Sequence, residues 1–226
     1  MNFGLKILLF CLIWSFSTLS QAARPLAGAL NINTDQEYLL DKYIRELEIC
    51  NPDGFCTNVN EDNIHEVKSD TLQELFSPYT FLYVPYEFSV PKERLKDYSI
   101  PKGMYTVLVL NKNGKEQYVL EGSGNYEGFG FFLQANTVKV ESFEDASKIW
   151  KAFCAIFRKP WSPDCLFPQE TENSWKLCPT TTGFRPVSAY EAVKEEYYYL
   201  LELNEAKTVV SGKLVSNIVE RRIENK

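Results

Sequence analysis

The sequence predicts an α+β protein in which an antiparallel sheet is packed by one or two helices. Three observations lead there. Two apolar runs flank Asn113-Gly114, a dipeptide that favours hairpin reversal. Residues 142–158 place Ile149, Trp150, Phe153, Cys154 and Phe157 on one helical stripe. The segments run helix, sheet, helix, then a mixed end, so helices and strands are segregated rather than alternating.

Residues 1–22 read as a secretory signal peptide. A short head carries Lys6 and no acid, residues 7–16 are almost wholly apolar, and Ser20-Gln21-Ala22 offers small residues to a signal peptidase. An apolar run of about ten residues falls short of the roughly 20 a membrane span needs. Cleavage is expected after Ala22, or otherwise after Ala23, leaving residues 23–226 as a single secreted or periplasmic α+β domain. No second long apolar run follows, so no membrane insertion is expected after cleavage.

Thr34 and Glu37 form a capping box, and Leu39, Leu40, Tyr43, Ile44 and Leu47 follow at helical spacing. A helix is expected over residues 35–49. Residues 51–68 are polar and Asn-rich, hence loop, and residues 69–76 form a short helix stopped by Pro78. Residues 80–90 are aromatic and β-branched, a strand in which Pro85 argues for an edge or a bend. If Asn113-Gly114 is a two-residue turn, Leu110 pairs with Gln117, Val109 with Tyr118 and Val107 with Leu120. The glycines of residues 122–130 read as loop or bulge, and residues 131–140 as a third strand. Ser142 caps the main helix, acids fill its first turn, Arg158 and Lys159 its last, and Pro160 stops it.

Residues 161–186 read as a long Pro- and Thr-rich loop near the C-terminus, pinned by a disulfide. Ser188 and Glu191 form a second capping box, so a helix is expected to start there. Residues 197–203 and 208–219 read as two strands around 204–207.

In an oxidising compartment Cys50, Cys56, Cys154, Cys165 and Cys178 make two intrachain bridges at most. Pro52-Asp53-Gly54 is turn chemistry that brings Cys50 to Cys56. Cys165 and Cys178 bracket the Pro168 loop. The expected pairs are therefore Cys50–Cys56 and Cys165–Cys178, with Cys154 the odd, buried thiol of the main helix.

The net charge of −6 and the absence of long basic runs exclude nucleic acid as an expected partner. His65 is the only histidine, which removes most mechanisms that need a histidine base. No metal or other cofactor is expected: the cysteines lack C-x-x-C spacing, and Asn58, Asn60, Asp62 and Asn63 only partly follow a calcium loop, without its Gly and closing Glu. Residues 122–130 look superficially like a phosphate loop, yet such loops lead into a helix. Acids are plentiful, and none is singled out as a pair. The expected function is a non-enzymatic binding module for a protein or glycan partner, anchored by exposed Trp161 and Trp175. The alternative is an exported carboxylate-dependent, glycosidase-like hydrolase.

Overall fold

The computed structural model describes residues 30–94, 96, 100, 102–121, 126–158, 168–181, 184–188 and 191–223. The expected signal peptide, Trp161 and Cys165 lie outside the described residues. The fold is α+β, built on two antiparallel five-stranded sheets.

Helix α1 (Thr34–Leu47) opens the fold. Its cap is Asn33, one residue earlier than expected. Asn33 Oδ1 accepts the Gln36 N–H at 2.9 Å, and Gln36 Oε1 accepts the Asn33 N–H at 3.1 Å. Asn wins over Thr34 because its amide also donates to the Lys112 carbonyl at 2.7 Å, tying the helix start to a hairpin. Gln36 is buried and donates to Thr80 Oγ1 and to the Leu110 carbonyl, so its polar head is satisfied against the sheet. Tyr43 and Thr106 share a buried hydrogen bond of 2.8 Å further along.

The first sheet contains β1 (Cys56–Val59), β2 (His65–Glu66), β3 (Tyr79–Ser89), β4 (Met104–Asn111) and β5 (Gln117–Glu121). The order is β1-β3-β4-β5, with β2 also on β3. The expected loop over residues 51–68 is thus wrong in part, since β1 and β2 are recruited by the exposed edge of β3. Cys50 and Cys56 are disulfide-bonded across the Pro-Asp-Gly turn. Short helix α2 (Asp70–Leu75) precedes β3.

Pro85 lies in the interior of β3, not at an edge. Its carbonyl accepts the Asn60 N–H at 3.0 Å, so its nitrogen faces the gap between β1 and β2. No ladder bond to β4 is lost, and Pro85 stays in register with Tyr105.

The β4–β5 register matches the sequence expectation: Leu110 with Gln117, Val109 with Tyr118 and Val107 with Leu120. The turn does not. The Asn111 carbonyl accepts the Gly114 N–H, and Gly114 alone has positive φ (68°), whereas a two-residue type I′ turn needs both central residues there. A side chain at Gly114 would collide with Asp35 of α1, so helix docking sets the turn shape.

Both faces of this sheet are buried, which explains the unbroken run Val107–Leu108–Val109–Leu110. Leu82, Val84, Leu108 and Leu110 pack under Leu40, Tyr43 and Ile44 of α1. Phe81, Val107, Val109 and Leu120 face the main core.

That core holds helices α3 (Glu127–Ala135) and α4 (Phe143–Ile156). Helix α4 begins on Ser142 as expected, with Ser142 Oγ accepting the Asp145 N–H. Helix α3 corrects the expectation of glycine loop followed by a third strand. Its glycines permit close approach: a Cβ on Gly130 would lie 2.5 Å from Gly212 N and O, and one on Gly128 3.1 Å from the Val119 carbonyl. Phe129, Phe132 and Leu133 are fully buried by that approach.

The second sheet contains β6 (Gln169–Thr171), β7 (Ser174–Thr181), β8 (Arg185–Ser188), β9 (Glu191–Leu203) and β10 (Val209–Ile223). The order is β10-β9-β7-β6, with β8 also on β9. Two expectations fail here. The supposed long loop holds β6, β7 and the start of β8, and where a helix is expected from Ser188, Ser188 ends β8 and Glu191 begins strand β9. Glu191–Leu203 pairs with β10 on one side and with β7 and β8 on the other, and this pairing overrides the local capping signal. The two strands expected around residues 204–207 are present.

Trp175, Leu177, Tyr199, Leu201, Leu203 and Val209 face the shared core. Beyond it, β8 and the later part of β10 are exposed. No described helix is long and apolar enough to cross a membrane.

Candidate functional site

The residues that gather chemistry lie where the end of α4 meets β2, β3 and β4. Ile156 ends α4, Phe157 caps it, and Arg158 then turns with φ of 48°, the left-handed region that costs a non-glycine residue energy. This turn lays the guanidinium over the ring of Tyr83, with Cζ 3.6 Å from the centroid. Tyr105, on the neighbouring strand, stacks on Tyr83 at 4.7 Å between centroids. His65 approaches Tyr83 at 4.9 Å.

The hydrogen bonds fix the histidine tautomer. His65 Nδ1 lies 2.8 Å from the Asn63 carbonyl, which can only accept, so Nδ1 carries the proton. Arg158 Nη2, which can only donate, contacts His65 Nε2. His65 Nε2 thus faces the arginine as an acceptor and orients it. Arg158 has no carboxylate partner among the described residues, so part of its donor fork remains available around a held charge.

Tyr105 donates its hydroxyl proton to the Phe157 carbonyl at 2.8 Å, bracing the chain just before Arg158. Burial, and then the neighbouring Tyr126 and Tyr83, push the Tyr105 hydroxyl up to about 12, with Arg158 opposing the rise. The native state keeps this proton where the unfolded chain has lost it. Stability from Tyr105 is whole below pH 10 and is lost as pH rises through about 12. Urea midpoints compared around pH 9 and around pH 11 should fall less for Tyr105→Phe than for the parent chain. An equal fall in both would remove Tyr105 as the cause.

The sequence singles out His65 only as its one histidine, and does not select Arg158, Tyr83 or Tyr105. The pairing of β3 with β2 and β4 brings them together across long stretches of chain. The spacing signal lay in Tyr83 and Tyr105, which share the same face of neighbouring strands.

A Cys154–His65 nucleophile pair does not form. Cys154 is buried on α4, and both ring nitrogens of His65 are engaged elsewhere. Trp175 corrects the expected exposed anchor: it is 4 % exposed, on the core face of β7. Alternation of Trp175 and Leu177 is the strand signal that could have shown this. Trp161, the other expected anchor, lies outside the described residues. Cys178 is disulfide-bonded, and Cys165, its expected partner, also lies outside them.

The segment after β5 does lead into a helix, as in phosphate loops. Yet Gly128 and Gly130 are accounted for by packing, and the residue before α3, Tyr126, is buried with its carbonyl accepting the Tyr199 hydroxyl. Asn58, Asn60, Glu61, Asp62 and Glu87 line an open hollow of about 490 Å³. Among the described residues no three acid, His or Cys side chains are grouped to hold a metal. The carboxyls with displaced pKa move down: Glu195 through the Tyr197 hydroxyl and Arg185, and Glu202 through Ser211. A general acid for glycoside cleavage needs the opposite displacement.

No known protein family, curated protein or solved structure matches the chain.

Proposed function

We propose that the chain is an exported, non-enzymatic binding module that takes a carboxylate of a partner protein at Arg158. The observation that carries this reading is a guanidinium stacked on Tyr83, steered by His65 and lacking a carboxylate among the described residues. A preorganised arginine fork binds a carboxylate with two parallel hydrogen bonds, at little further entropic cost. A single positive charge in a chain of net charge −6 suits a monoanion better than a phosphate dianion.

A protein is favoured over a glycan because Tyr83 is already covered by Arg158 and stacked on Tyr105, which leaves it unsuited to stack on a sugar. Export is supported by the Cys50–Cys56 bond and by the layout of residues 1–22.

The test follows the Arg158 Nε–H resonance while acetate, glucuronate, inorganic phosphate or a peptide carrying a single Glu is added. The single-Glu peptide is expected to bind most tightly. Arg158→Ala should weaken it by about tenfold or more, and Arg158→Lys nearly as much, because the fork is lost. Unchanged peptide affinity in Arg158→Ala would defeat the proposal. Tighter glucuronate or phosphate binding would reassign the ligand.

A further inference from the structure

Strand β10 is outermost in the second sheet, and among the described strands only β9 pairs with it. Its beginning is closed off: Thr208 bridges Lys139, and the Val209 N–H donates to the Val138 carbonyl at 2.9 Å. Past Gly212, whose backbone meets α3, no described strand covers the outer edge. Such an edge is a template for another strand.

The side chains along it divide cleanly by face. Gly212 meets Tyr199 and Gly130, so Gly212, Leu214, Ser216 and Ile218 share the core-side face. Leu214 and Ile218 lie past the point where α3 covers that face, and are 41 % and 47 % exposed. The other face carries Lys213, Val215 and Asn217. The register shift between Ile218 and Glu220 puts Glu220 there too, opposite Lys194 as Asn217 is opposite Glu196.

We infer that β10 is a self-association edge, on which a second copy of this chain pairs antiparallel about a two-fold axis at Ser216. Leu214 then meets Ile218 of the second copy on one face. On the other, Lys213 meets its Glu220, once the bulged Val219 is counted with Glu220. Apolar matches apolar and base matches acid at equal steps either side of Ser216, and the symmetry makes each contact twice. That internal complementarity is what selects a second copy over a different partner. The two five-stranded sheets would continue into one.

Sedimentation velocity over a wide concentration range tests this, with the weight-average mass expected to rise from one chain toward two. Lys213→Glu and Glu220→Lys should each weaken the dimer about tenfold, because two symmetry-related contacts turn repulsive. The double exchange should restore association. All these positions are exposed, and matching melting curves will show that the variants fold. A chain that stays monomeric throughout overturns the inference. So does a dimer indifferent to both single exchanges.

Discussion

Replacing Gly130 with alanine is expected to destabilise the protein by about 3 kcal/mol, against the local preference of the helix that contains it. Gly130 sits inside α3 with ordinary helical geometry, where alanine is favoured by roughly 1 kcal/mol. The added methyl, however, would stand 2.5 Å from Gly212 N and O and 2.7 Å from its Cα. Those atoms are backbone of β10, held in a ladder with β9 for most of its length, so they cannot turn aside as a side-chain tip would. Either α3 lifts from the sheet or β10 bends, and both expose Phe129 and Phe132. Overpacking therefore outweighs propensity. Denaturant unfolding of Gly130→Ala, with helix content followed by circular dichroism, reads the sign directly. An unchanged or raised midpoint would mean that α3 and β10 do not approach this closely.

Truncating Phe153 to alanine is expected to cost about 4 kcal/mol. Phe153 is 1 % exposed and stands among five aromatic rings. It stacks on Trp150 at 4.9 Å and meets Tyr126, Phe129, Phe157 and Tyr199 at 4.7–5.6 Å between centroids. The rings come from α4, from the start of α3 and from β9, three rigid supports that cannot all close onto the vacancy. The cavity persists, and the lost edge-to-face contacts add to the transfer cost. Phe153→Leu fills most of the space and should cost roughly half as much. Urea or guanidinium melts of the pair decide it, and a Phe153→Ala cost below about 1.5 kcal/mol would mean the aromatic cluster is loosely packed.

What could be read from the sequence was local. Helix α1, helix α4 and the β4–β5 register follow from spacing and caps within a few residues, and each is present. Helix α3 was missed because Glu-Gly-Phe-Gly-Phe-Phe is unfavourable for a helix on propensity alone, and the reason for Gly130, the backbone of β10, lies far along the chain. Strand β9 was half missed for the converse reason: Ser188 and Glu191 satisfy a capping rule that only the neighbouring strands overrule. The site was less legible still. His65 drew notice because it is unique, whereas Arg158 looked like an ordinary helix-end charge. Its stacking on Tyr83 depends on a left-handed turn that no residue type announced.

The Cys50–Cys56 link has a consequence in time as well as in space. Its cysteines are six residues apart in sequence, and the turn between them closes within its own segment: the Asn51 side chain accepts the Phe55 N–H, and its carbonyl the Gly54 N–H. Loops this short close in well under a microsecond. The bond can therefore be made on a nascent chain as soon as Cys56 is exposed to oxidant, before either sheet exists. Early closure withdraws two thiols from circulation while Cys154 still awaits burial by the core. The clasp thus acts first on the traffic of competing pairings, and only later as a brace at the edge of the finished sheet.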